Sequence, residues 1–360
     1  MIASTRFSVL DRSRTREGHG TAGALRDTVQ LAREAEALGF HRFWVSEHHG
    51  VPGVAGSAPT VLAAAVAAAT TTIRVGTGGV MLPNHRPLVV AEQFGVLASL
   101  FPGRIDMGLG RSVGFTDGVR RALGHGKEDA EDFPGRLAEL LGWVDGTQQA
   151  HPGVHAHPAE GLRIPAYVLA IGEGAAVAAA AGLPLVIGDL RGRGTVLRAI
   201  EVYRRDFRPS ARAEHPEVIV AGTVAVAGTE EAARRLLVPE AWAMAYSRTH
   251  GDFPPLAPAE RVEALAMTGK ERSLYEQGLE GHIHGTEDRV AAQLERAIGE
   301  TGADEVLVTT STYDREALVD SLRRLARIAR PQGRSDERGP SPHPVGRTAG
   351  PLPAATGVDA

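Results

Sequence analysis

The chain has 360 residues, 43% hydrophobic and 23% charged, with a formal charge of -4, ordinary values for a globular protein able to bury a large core. Acidic and basic residues are interspersed, which leaves no footprint for nucleic acid or an anionic membrane, so a small molecule is the expected partner. With no cysteine in the chain, disulfides, zinc–thiolate centres, iron–sulfur clusters and thiol nucleophiles are excluded.

From the N-terminus, Met1 to Arg6 leads directly into a strand-like Phe7-Ser8-Val9-Leu10. No basic stretch followed by an apolar one precedes it, and the chain reads as cytoplasmic. The longest apolar run, 61–69, is rich in alanine and too short for a membrane span, so it reads as a buried helix. Strands are expected over 7–10, 42–46, 73–78, 105–110, 166–170, 185–187, 218–226 and 305–309. Helices are expected over 21–38, 58–69, 89–100, 136–141, 175–181, 195–207, 230–246, 289–301 and 315–329. Leu25, Val29, Ala32, Ala35 and Leu38 show the helical spacing in the first of these. Gly39 and the pair Gly182 and Pro184 close helices, and Thr229 reads as an N-cap. Eight βα units in order predict an α/β fold, a single (β/α)8 TIM barrel over 1–330.

Two stretches depart from the repeat. Residues 247–285, with Pro254, Pro255 and Pro258, read as an insertion before the last βα unit, either a lid on the catalytic face or a passive surface excursion. Residues 331–360 hold prolines and glycines with almost no bulky apolar side chains, and are expected to be disordered.

In a barrel, chemistry belongs at the C-terminal ends of the strands. Strand two ends in Ser46-Glu47-His48-His49, an acid and two imidazoles suited to proton transfer near neutral pH. Metal binding and a purely structural histidine are the competing readings. Adjacent side chains on an extended segment diverge, and no metal is expected there. Strand three ends in a run containing Gly76, Gly78 and Gly79, which lets a flat ligand lie against backbone or permits an unusual peptide geometry. Strand four ends in Gly108, Gly110, Arg111 and Ser112, where a guanidinium and a hydroxyl suit an anion such as phosphate. The run resembles a dinucleotide fingerprint, but no helix follows at once and no acidic residue completes it. After strand five, Gly172-Glu173-Gly174 enters a helix N-terminus whose N–H groups can take phosphate, or forms an ordinary β-to-α turn. His151, His155 and His157 read as a solvated loop rather than a metal site. His282 and His284 lie in the insertion, where contact with substrate is the alternative to metal.

Phe43 to His49, Val75 to Pro83 and Phe101 to Arg111, in this order and spacing, together resemble the luciferase-like monooxygenase family over roughly residues 5 to 330. The resemblance is particularly to its short single-chain branch, which includes antibiotic-biosynthesis monooxygenases. The resemblance implies reduced FMN (FMNH2) at the barrel mouth, delivered by a separate NAD(P)H-dependent flavin reductase. It also implies a C4a-(hydro)peroxide formed with dioxygen, oxygen transfer to a small organic substrate, and a homodimer. It maps a non-proline cis peptide beneath the isoalloxazine onto Gly78-Gly79, the phosphate-binding arginine onto Arg111, and the catalytic histidine onto His48, with Glu47 and His49 positioning it. Two positions depart from the pattern. Gly110 stands where the light-emitting subunit of bacterial luciferase has cysteine, so light emission is not expected. Ala170 and Ile171 replace serines of the phosphate turn, removing two hydroxyl donors, each contributing on the order of 1 kcal/mol. Two other readings share this barrel: hydride transfer with deazaflavin F420, and a non-catalytic flavin-binding subunit.

Overall fold

The computed structural model describes residues 1–172, 174–188 and 193–330. Glu173 of the expected phosphate turn and the expected disordered tail lie outside the described residues. Eight parallel strands form the frame: β1 (Arg6–Asp11), β2 (Arg42–Val45), β3 (Arg74–Thr77), β4 (Ile105–Gly110), β5 (Ala166–Ala170), β6 (Leu185–Gly188), β7 (Val218–Gly222) and β8 (Glu305–Val308). Each pairs with its neighbour in chain order, and β8 closes the ring on β1 with Arg6 opposite Glu305 and Val9 opposite Val308. The expected TIM barrel is the observed fold.

Strand sequences explain the closure. A parallel strand covered by crossover helices is buried on both faces and reads as a near-continuous apolar run, as Phe43-Trp44-Val45 does, with all three fully buried. Alternation then sorts the side chains. Val9, Phe43, Val45, Val75, Val168, Val220 and Val306 pack outward against the helices. Leu10, Trp44, Tyr167, Val186, Ile219 and Leu307 point inward and fill the barrel. Burying each such large side chain contributes roughly 1.5–3 kcal/mol.

The inward layer nearest the strand starts is charged. Arg42 Nη1 donates to Asp106 Oδ2 at 2.9 Å and its Nη2 to Glu305 Oε2 at 2.9 Å, while Arg74 Nε and Trp44 Nε1 also donate to Asp106, at 3.0 and 3.1 Å. Arg42, Asp106 and Glu305 are almost wholly buried, a burial that only mutual pairing makes tolerable. Asp106, part of the motif that ends in Arg111, is therefore tied to the barrel floor and not to its mouth.

Several element bounds differ from expectation. The strand expected over 218–226 breaks at Thr223, because Val224 N–H donates to Thr310 Oγ1 and Val226 N–H to Ser321 Oγ. These bonds lead Val224–Val226 out of the barrel to pair in parallel with Ile283–Gly285. The helix expected over 230–246 is two helices, Glu230–Arg235 and Val238–His250. Pro239 sits in the first turn of the second, where its missing N–H is harmless and from which no helix can be continued backward. The helix expected over 136–141 extends to Phe133–Asp145, and a further one, Asp117–Ala122, lies in the loop after β4. Segment 247–285 contains helices Ala259–Glu263 and Gly269–Leu279 and the strand Ile283–Gly285. Among the described residues no helix is long and apolar enough to cross a membrane.

Candidate active site

The strand ends converge on one cavity of about 600 Å³. Its lining includes Ser46, Glu47 and His48 beyond β2, Gly78 and Gly79 beyond β3, Gly110 and Arg111 at the end of β4, and Ala170 and Ile171 at the end of β5. Of the residues singled out from the sequence, His48, Glu47, Gly78, Gly79, Gly110 and Arg111 thus meet around a single space. His49 lies behind the wall. Gly172 (φ +64°) turns the chain after β5 into the helix Gly174–Ala181, but neither it nor Gly174 lines the cavity.

His48 and Glu47 diverge as neighbours on an extended segment must. His48 Nδ1 lies 3.2 Å from Ser46 Oγ. Burial, reinforced by the positive charges of Arg12 and Arg14, pushes its pKa down to about 4, so the imidazole is neutral at pH 7, with one ring nitrogen unprotonated. Glu47 turns into a separate cluster. Its Oε1 lies 2.7 Å from His49 Nε2 and 2.8 Å from His85 Nε2, and its Oε2 accepts the Met81 N–H at 2.9 Å. Burial alone would raise this carboxyl, but the hydrogen bonds from His49, His85 and Met81 outweigh it and hold the pKa below the usual range. Glu47, His49 and His85 could converge on a metal ion. Their mutual 2.7 and 2.8 Å contacts already satisfy the carboxylate as hydrogen bonds. Through Met81 the cluster anchors the chain that follows the two glycines.

The Gly78–Gly79 peptide bond is cis, the geometry the resemblance implies there. A Cβ on Gly78 would lie 2.6 Å from Leu10 Cδ1, and one on Gly79 2.9 Å from Gly108 O. Backbone packing therefore demands glycine at Gly79, whereas at Gly78 the end of the Leu10 side chain would have to move. Gly110 differs. A Cβ there would find nothing closer than Val80 O at 3.8 Å, so what its missing side chain leaves open is cavity. Arg111 is exposed at the rim; among the described residues its guanidinium has no carboxylate partner.

The residue order and spacing match the family model described as luciferase-like monooxygenase over residues 5–305. The chain belongs to the luciferase-like monooxygenase family. Membership makes it an enzyme of the flavin-dependent monooxygenase kind. A luciferase-like monooxygenase of Escherichia coli strain K12 is 36% identical, covering 88% of this chain and 94% of that protein. The N-acetyl-S-alkylcysteine monooxygenase of Bacillus subtilis strain 168 is 34% identical, covering 85% and 92%. The crystal structure of apo-MsnO8 superposes with a TM-score of 0.82 at 32% identity, over 90% of this chain and 98% of that one.

Other residues of the site carried no sequence signal. His85 is three residues beyond Leu82, in no recognisable pattern. Arg12, Arg14 and Glu240 are ordinary surface charges on paper, yet Arg12 and Glu240 line the cavity and both arginines pair with Glu240. The loop histidines went as expected for a solvated loop: His155 is exposed and pairs with Glu160 at 2.7 Å. His282 lines the cavity, whereas His284 does not.

Proposed function

We propose that the chain uses reduced FMN and dioxygen to oxygenate a small organic substrate, with His48 handling the proton. One observation carries this reading: a single cavity is bounded at once by a neutral imidazole, a side-chain-free stretch of Gly78, Gly79 and Gly110, and the Arg111 guanidinium. The open space over Gly110 suits a flat ring system lying against backbone, and Arg111 with Ser112 suits its anionic tail. The isoalloxazine, when bound, supplies the electrons and the oxygen chemistry. What the protein supplies is placement and water exclusion: Leu10, Leu169, Val186 and Leu307 give the cavity an apolar base. His48, aligned by Ser46, is the base that accepts and returns a proton beside the ring. The Glu47–His49–His85 cluster holds the chain after Gly78 and Gly79 in place through the Met81 N–H. Gly172 and Gly174 belong to the same reading as backbone donors to the phosphate.

Reduced FMN would come from a separate NAD(P)H-dependent reductase, and the enzyme would act in the cytoplasm. Gly278 and His282 extend the cavity wall from segment 247–285, which supports a covering role for that segment over the substrate. A homodimer is part of the reading: Val61, Val89, Val96 and Leu100 are exposed on the adjoining helices Pro59–Ala69 and Pro87–Leu100, an apolar face suited to a second copy.

The experiment is a titration of the protein with FMN, reduced FMN and F420, followed by turnover with a flavin reductase and a panel of substrates. Micromolar FMN binding and oxygenated product, both absent with F420, are expected. Tighter binding of F420 would transfer the protein to hydride-transfer chemistry. Binding of FMN with no product from any reductase-coupled assay would favour a flavin-holding subunit.

A further inference from the structure

Part of the cavity wall carries an unbalanced charge. Arg12 lies one residue beyond β1, and Glu240 on the helix Val238–His250; both line the cavity. Arg12 Nη1 is 2.9 Å from Glu240 Oε1, and Arg14 Nε is 3.0 Å from Glu240 Oε2. One carboxylate is shared by two guanidiniums.

The two arginines are not equivalent. Arg14, with only 3% of its side chain exposed, is a structural clamp. It donates to Gly53 O at 2.6 Å and Pro254 O at 3.4 Å, and lies 4.3 Å from the centre of the Phe253 ring. Two guanidiniums on one carboxylate leave a net positive charge, and Arg12, the one of the two that lines the cavity, presents it there. Its Nη2 donates to Ser311 Oγ at 3.2 Å and Thr309 O at 3.3 Å, neutral acceptors that fix the guanidinium without cancelling its charge. Its Nε is buried and has no hydrogen-bond partner.

Arg111, the other arginine of the lining, is the one assigned to the flavin's anionic tail, and the carboxylates at this end of the barrel are already committed. Both oxygens of Glu47 are taken by His49, His85 and Met81. Asp11, beside Arg12, is pushed up toward neutrality by burial. A fixed cation at the wall of a partly enclosed cavity attracts an anion more strongly than the same cation in bulk water. Beside it, Leu237, Ala241 and Met244 continue the wall as apolar surface.

We infer that Arg12 is the specificity-determining residue of this cavity, and that the substrate is an organic acid whose carboxylate meets Arg12 while its apolar body lies along the helix Val238–His250. A guanidinium with donors to spare suits a carboxylate oxygen pair. The inference rests on the flavin-monooxygenase reading of the same cavity. The competing anion would be the reduced flavin ring itself.

The test titrates octanoate and octanamide, equal in chain length and differing in charge, into FMN-loaded protein by calorimetry. Octanoate should bind at least about tenfold tighter, the scale of one charge-assisted hydrogen bond. Arg12→Gln should erase that preference while leaving octanamide and FMN affinities in place, and Arg12→Lys should restore part of it. Equal affinities in the wild-type protein, no octanoate binding at about 10 mM, or a preference that survives Arg12→Gln would each overturn the inference. The wild-type comparison stands even if a variant does not fold. A loss of reduced-FMN affinity in Arg12→Gln with octanoate binding unchanged would assign Arg12 to the cofactor instead. FMN binding without octanoate preference removes only the substrate inference. Octanoate preference in a protein that binds no FMN removes only the flavin reading.

Discussion

Gly108 and Gly110 stand two residues apart on β4 and face the same way into the barrel, yet alanine should act oppositely at the two positions. At Gly108 an added Cβ would overlap the Thr77 carbonyl oxygen and press on Leu169 Cδ1 at 3.2 Å. Thr77 cannot step aside, since its Oγ1 donates to Gly108 O at 2.7 Å and β3 is held between β2 and β4. Overpacking against backbone of this kind costs about 3 kcal/mol, a fall in Tm of roughly 4 °C for a unit spanning Met1–Arg330. At Gly110 the nearest atom to an added Cβ is 3.8 Å away, so Gly110→Ala should stay within about 0.5 kcal/mol of the parent. Because the methyl projects toward the space assigned to the flavin ring, FMN affinity should fall at least about tenfold. Calorimetry gives the stabilities and quenching of flavin fluorescence gives the affinities. Equal destabilisation by both substitutions, or a Gly110→Ala protein with unchanged FMN affinity, would refute the assignment of that space.

His48→Gln should keep its fold and FMN affinity but lose most reductase-coupled turnover, and undiminished product formation would remove His48 from the chemistry. The same variant tests the buried imidazole through pH. A pKa of about 4 in the folded chain against 6.5 unfolded means that the unfolded state binds more protons between those values. Wild-type stability should therefore decline as pH falls from 6.5 to 4, by roughly 3 kcal/mol relative to His48→Gln, in urea unfolding at pH 7 and pH 4; parallel curves for the two proteins would contradict this. Arg42→Met leaves Glu305 without its principal partner and Asp106 with only Arg74 and Trp44, and should cost about 3–5 kcal/mol in chemical denaturation, with no such loss arguing that water replaces the guanidinium. His85→Ala removes one donor from Glu47 and should destabilise by about 1–3 kcal/mol while loosening the Gly78–Met81 floor, seen as weaker FMN binding; unaltered affinity would detach the cluster from the site. Leu100→Arg should convert a dimer to a monomer in light scattering, and an unchanged mass would place any dimer interface elsewhere.

Much of the architecture could be read along the chain because its causes are local. Strand runs such as Phe43-Trp44-Val45, helical spacing from Leu25 to Leu38, and the glycines that end helices each act within a few residues. The misread elements are those in which a distant partner intervened. Thr310 and Ser321, far along the chain, draw Val224–Val226 out of the barrel. Pro239 alone could have revealed the break in the helix expected over 230–246, since proline opens helices more readily than it continues them. Within the site, Glu47, His48, Gly78, Gly79, Gly110 and Arg111 stood out because strand ends are where barrels place chemistry. His85, Arg12 and Glu240 did not, because their significance lies in partners and not in neighbours.

Residue chemistry by itself determined the alternation of strand and helix, the exclusion of thiol chemistry and the run of glycines under the mouth, because periodicity and backbone freedom belong to short stretches of chain. Closure of the ring decided what those stretches could not: that Arg42 meets Glu305 across 263 residues, that Arg14 meets Glu240 across 226, and that Glu47 binds His85 as well as His49 and leaves His48 to the cavity. Charge pairing and burial are properties of a place in space, and only folding brings the groups that share a place together.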